Sequence, residues 1–286
     1  MGRGVALSLP LFAVLAVAVF ARLVLGAPSS QPDSPSGPTP NVAVAVATQL
    51  ANWAPELREA GDICQGTVSR PAPDEPIRFA EVYTQEREVK GIHIVAVEDV
   101  DGEALDIAVA TIDEMLAADL ATVLSAEDAY VVVMSAEQHV LDLPEFSCRA
   151  GTMEASLYAD VCGVADRADY PLVTVSELDL LGRLRGPCGG LNILYHELGH
   201  LVQGWAIGPA DYVEIRVLFQ KARESGDYEG QYAMRNKNEY FAEATQAYFL
   251  STDRAGKRDR DWLRSADPEM FDLLRRLYGE PQPTSP

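Results

Sequence analysis

An α+β domain is predicted, with a small mixed sheet under a covering helix and a helical C-terminal half. Three observations predict it. Short β-rich runs at 91–97, 130–134 and 172–175 surround a stretch of helical spacing at 101–120. From residue 191 onward, successive segments carry helical spacing with cap and stop signals. The first of these contains His196-Glu197-Leu198-Gly199-His200, a spacing that makes chemical sense on a helix.

Taken in order, Arg3, the apolar run 5–20 and the small residues Gly26 and Ala27 have the layout of a secretory signal peptide over 1–27, cleaved after Gly26 or Ala27. Counted to Leu25, the run broken by Pro10 and Arg22 nears bilayer-spanning length, so an uncleaved anchor is the alternative. Either way the domain is expected to be secreted or extracytoplasmic, with membrane contact only in the anchored case. Cys64, Cys148, Cys162 and Cys188 fit an oxidising compartment. Of the three possible pairings, Cys148 with Cys162, the closest pair, is the expected one. The absence of any CxxC speaks against a cysteine zinc site, and no NxS or NxT triplet invites N-glycosylation.

Residues 28–40, rich in Pro and Ser, read as a disordered tether. One folded domain is expected over 41–280, with a flexible tail at 281–286. Val42, Val44 and Val46 alternate like a strand, while the Ala-rich run to Ala60 permits a helix equally well. Pro and charged residues over 62–88 suggest a wrapping segment with short strands. In 101–120, Ala104, Ile107, Ala108, Thr111, Ile112, Met115 and Leu116 fall at helical spacing. His93 sits in a strand pattern and His139 before a strand-like turn, so both are assigned packing or surface roles. Beyond the His-containing helix, 211–225 is amphipathic, with Val213, Val217, Leu218 and Ala222 on one side and Gly226 as the stop. Asp267-Pro268 opens a last helix that carries Phe271, Leu274 and Leu277 and ends at Gly279.

The formal charge of −20 makes nucleic acid an unexpected partner. Such charge is first of all a solvated surface that keeps a protein soluble, with a preference for basic substrates as the alternative, and it does not name a substrate. The two His of HELGH, four residues apart, project from one helix face one turn apart. Zinc takes imidazole nitrogen at about 2.0–2.1 Å, and a Glu beside the first His can take a proton from water at that site. A third ligand is needed. The extended HExxHxxGxxH form fails, because Gln203 and Ala206 occupy the Gly and third-His positions. A downstream carboxylate is expected instead, and Glu239 or Glu243, one turn apart on a helix that Asn236 can cap, can supply it.

HELGH together with Tyr232-Ala233-Met234-Arg235-Asn236-Lys237-Asn238-Glu239-Tyr240-Phe241-Ala242-Glu243 resembles the lethal-factor-like zinc metallopeptidases, over 191–253 including Ser251-Thr252-Asp253. Their pattern places a Tyr seven residues before a Glu that opens an EΦFAE helix, with Φ aromatic. The resemblance implies a zincin-like catalytic domain hydrolysing a peptide or protein substrate. It implies one catalytic zinc held by His196, His200 and Glu239, with Glu197 as general base and Tyr232 as donor to the developing oxyanion. Glu243 would then accept a hydrogen bond from a ligating imidazole. No counterpart of the toxin's cell-binding and substrate-docking regions is visible, so its toxicity and its substrate are not implied. The alternative is a non-catalytic exported scaffold or binding domain that uses zinc for structure.

Overall fold

The β-branched runs of the first half pair into a five-stranded mixed sheet. A computed structural model describes residues 64, 68–69, 75–158, 161–165, 171–183, 192–250 and 259–281. The signal or anchor, the tether, the open 42–60 region and Ser251-Thr252-Asp253 lie outside them. Within them, Val68–Ser69 (β1) and Arg78–Phe79 (β2) form a small antiparallel pair. The main sheet comprises Gln85–Val89 (β3), Ile92–Ala96 (β4), Tyr130–Met134 (β5), Gly163–Val164 (β6) and Leu172–Ser176 (β7), in the order β3-β4-β5-β7-β6. β4, β5 and β7 run parallel, and β3 and β6 close the edges antiparallel. Lys90 and Gly91, both at positive φ (53° and 78°), make the two-residue turn between β3 and β4.

The central strands are apolar on both faces, because both faces are covered. Ile92, Ile94, Val131, Val133, Val173 and Val175 join the helical core, whereas Val95, Tyr130, Val132, Met134 and Leu172 pack with Val140, Leu143 and Phe146 on the other side. Eight α-helices are found among the described residues. The first two replace the single helix expected over 101–120. Gly102–Met115 (α1) stops at Leu116, which is extended and buried, and Ala118–Ala126 (α2) starts anew. The Lys90 ammonium accounts for the stop. It donates to the carbonyls of Asp113 (2.5 Å) and Leu116 (2.8 Å) and so satisfies groups at the helix end.

Glu177–Leu180 (α3) follows β7, and then come Leu194–Trp205 (α4), Pro209–Ser225 (α5), Lys237–Phe249 (α6), Arg260–Ala266 (α7) and Pro268–Tyr278 (α8). α5 ends at Gly226 as expected, but its buried face is Ile215, Leu218, Phe219 and Ala222. Val213 and Val217 are instead 50% exposed. The two apolar rows compete in sequence, and packing against α6 and α8 selects the second.

The bridge at Cys148 also differs from expectation. Cys148 pairs with Cys64, 84 residues away, because Cys64 is held on the 145–149 segment by a 3.2 Å bond from its N–H to the Glu145 carbonyl. Cys162 is disulfide-bonded as well, and Cys188 lies outside the described residues. These bridges fit an extracellular compartment. Among the described residues no helix is long and apolar enough to cross a membrane. His93 contacts Glu86 at 2.7 Å and His139 is exposed, so neither joins the site below.

Candidate metal centre

α4 carries HELGH, and its start is fixed from two sides. Asp179, on α3, accepts the Ile193 N–H at 2.6 Å, supplying the partner that no residue at the helix start provides. Asn192, at φ 45°, donates to the Thr111 hydroxyl at 2.9 Å, and the Tyr195 hydroxyl donates to Glu114 at 2.6 Å, tying α4 to α1. α6 brings the carboxylates. The Asn236 side chain caps it by accepting from the N–H groups of Asn238 (2.8 Å) and Glu239 (3.0 Å).

The two helices cross closely because position 199 is glycine. A Cβ there would stand 3.1 Å from the Ala242 backbone and 3.2 Å from the Thr245 side chain. This crossing brings the Nε2 atoms of His196 and His200 to 3.1 Å from each other, and puts a Glu239 carboxylate oxygen 3.2 and 3.3 Å from them. Glu243 turns to the other nitrogen of His196, Nδ1, at 3.4 Å. Of the two carboxylates, Glu239 is thus the one grouped with both Nε2 atoms.

These separations fit a metal. Ligands about 2.0–2.1 Å from a tetrahedral zinc stand about 3.3 Å apart, and His196, His200 and Glu239 offer one atom each at nearly that mutual spacing. The electrostatics point the same way. Burial pushes the His196 imidazole down, but hydrogen bonding to Glu239 and Glu243, with the nearby Glu197 charge, outweighs it and lifts the group to about 10. Burial likewise raises the Glu239 carboxyl, yet the two imidazoles hold it well below the usual carboxylate range. Both shifts express one property: the cluster stabilises positive charge at its centre, whether as a proton or a cation.

Glu197 is buried, at 6% exposure, against edge strand β6. A Cβ on Gly163 would lie 3.0 Å from the Glu197 Cγ, 3.2 Å from its Oε1 and 2.6 Å from the Thr174 carbonyl, so this edge admits only glycine beside that carboxylate. Tyr232 lies on the 3₁₀ turn Tyr232–Arg235, half exposed, its ring centroid 6.3 Å from that of His196. Partial burial and the Glu239 charge raise its phenol while Arg235 opposes them, so it remains a proton donor. Arg235 donates to the Tyr232 oxygen at 3.3 Å.

Sequence reasoning missed Asp179, Asn192 and Gly163. Asp179 and Asn192 act on partners 14 and 81 residues away in the chain, which no local pattern links. For Gly163 the available signal was a glycine inside a short apolar run, which marks close backbone approach.

The family model for "Anthrax toxin lethal factor, N- and C-terminal domain" matches residues 82–277, which contain the whole site. No curated protein matches the chain.

Proposed function

The chain belongs to the anthrax toxin lethal factor family, a family of zinc metalloproteases, and on that premise we propose that it is an exported zinc-dependent peptidase, most simply an endopeptidase. The observation that carries the proposal is the convergence of His196, His200 and Glu239 within 3.1–3.3 Å on two crossing helices. His196, His200 and Glu239 are the proposed ligands, three protein groups that leave a fourth position open. Zinc, when bound, supplies Lewis-acid polarisation and makes water acidic enough to ionise near neutral pH.

The chain's own groups do the rest. Glu197, buried beside the first ligand, takes the proton from the attacking water and returns it to the leaving amine. The Tyr232 phenol donates a hydrogen bond to the oxygen on which negative charge develops. Glu243 accepts from His196 Nδ1 and so fixes the tautomer that presents Nε2. Export rests on the signal layout and on the disulfides, and a peptide or protein substrate follows from the reaction.

Zinc analysis and a cleavage assay on an unstructured protein test the reading together. About one zinc per chain and cleavage that chelator stops and zinc restores are expected. Bound zinc without turnover on a broad peptide library would instead establish the scaffold alternative, and absence of zinc after loading would remove both.

A further inference from the structure

The face of α5 left open by the packing has a groove beside it, of about 870 Å³, bounded by α5 and by the 234–237 segment that leads from Tyr232 to Glu239. Its lining is unlike the rest of the molecule. The chain has 43 acidic and 23 basic residues, yet the groove gathers Arg216, Arg223, Arg235 and Lys237 around Val213 and Val217, with Glu224 its one carboxylate. Among the described residues none of these four cations has a carboxylate partner. Arg223 and Lys237 lie over the rings of Phe219 (5.8 Å) and Tyr212 (5.5 Å), and Arg235 donates to Tyr232. Lys221, by contrast, is already paired with Glu269 at 2.6 Å.

With no carboxylate to neutralise them, these cations concentrate positive potential in one concave place on a molecule of net −20. Val213 and Val217, one turn apart and half exposed, offer apolar contact between them. We propose that this groove is a docking site for an acidic segment of the polypeptide substrate, one that carries apolar side chains among its carboxylates. The segment then enters the metal centre along Arg235 and Tyr232, so the groove selects substrates by a stretch apart from the cleaved bond. The proposal deepens the peptidase reading and rests on it. The negative surface elsewhere repels a polyanion that does not seat in the groove, which sharpens selection for a short acidic stretch over an extended one.

The test uses the full chain carrying Glu197→Gln, so that binding is read without turnover and separately from the zinc and cleavage assays. Fluorescence anisotropy compares two labelled peptides of equal length and apolar content, one with clustered Asp and Glu, the other with Gln at those positions. The acidic peptide is expected to bind about tenfold tighter at low salt, an advantage that shrinks as salt screens it. Adding the exposed substitutions Arg216→Glu and Arg223→Glu should abolish the advantage, and Arg216→Gln with Arg223→Gln should reduce it part of the way. Equal binding of the two peptides, or a preference that survives charge reversal, overturns the proposal. So does sedimentation with phosphatidylserine vesicles, but not with phosphatidylcholine vesicles, when neither peptide binds: the groove would then face a membrane. Zinc and turnover that pass their own tests while the peptides bind equally would leave the peptidase reading standing and remove the groove alone.

Discussion

The sheet and the α4–α6 crossing are both buried, but they bury different chemistry. In β4, β5 and β7 the one fully buried polar side chain is Thr174; the remainder of the buried surface is Ile, Val, Leu, Ala, Tyr and Met. Along α4 and α6, His196, Glu197, Gln203, Thr245 and Gln246 are all buried. The first region gains its stability from apolar area, at roughly 25 cal/mol per Å². The second spends buried volume on polar groups, and a glycine at 199 lets the helices come close enough for those groups to meet. The contrast teaches that damage to the two regions should register on different instruments, metal and turnover for the crossing and melting temperature for the sheet.

Glu239→Ala should make the largest break. It removes one of the three grouped donors, so tight zinc binding should be lost, with circular dichroism unchanged because Tyr240 and Phe241 still anchor α6 in the core. Retention of a full zinc equivalent would pass the ligand role to another group, with Glu243 the first to examine. Glu197→Gln comes next. Side-chain size is kept and the base is lost, so turnover should fall by about 10² or more with zinc retained. Near-full activity would mean another residue activates the water. Tyr232→Phe should also keep zinc and lower kcat by about 2–4 kcal/mol of transition-state stabilisation; an unchanged kcat would leave the phenol a packing group.

How much of this was legible in the sequence follows the same division. HELGH and Asn238-Glu239-Tyr240-Phe241-Ala242-Glu243 were legible because helical spacing is local: each set falls on one helix, and four residues return to the same face. The strands were legible from β-branched runs, but their order was not, since β6 precedes β7 in the chain and yet sits outside it at the edge. Leu116 breaks a well-patterned helix because of a lysine 26 residues earlier. Val213 and Val217 fit a helical stripe as well as Leu218 and Ala222 do, and only neighbouring helices decide which stripe is covered. The Cys64–Cys148 bridge spans 84 residues, where nearness in sequence carries no information. Each miss was settled by a contact between segments far apart in the chain.

Glu243→Ala is a smaller perturbation of the crossing. Its carboxylate faces Nδ1 of His196 rather than the grouped Nε2 atoms, so zinc affinity or activity should weaken by about 10- to 100-fold without loss of the site. Metal titration against the Glu239→Ala protein ranks the two. Equal and total loss in both, with folding intact, would make both carboxylates ligands.

The smallest expected effect comes from the sheet and bears most directly on the contrast. Ile94 is fully buried in the helix-facing core, on the strand between β3 and β5, and belongs to none of the site's contacts. Ile94→Val removes one methylene from packing that can relax only in part, which costs about 0.5–1.5 kcal/mol. Thermal denaturation should show this as a lower Tm. Zinc stoichiometry and turnover, measured well below the transition, should match the parent protein, because α4 is positioned by Asp179, Asn192 and the α6 crossing rather than by the volume of this strand residue. A fall in turnover at unchanged zinc content would show that the sheet transmits its packing to the site. The carrier to examine would then be β7 and edge strand β6, whose Gly163 lies against the Glu197 side chain.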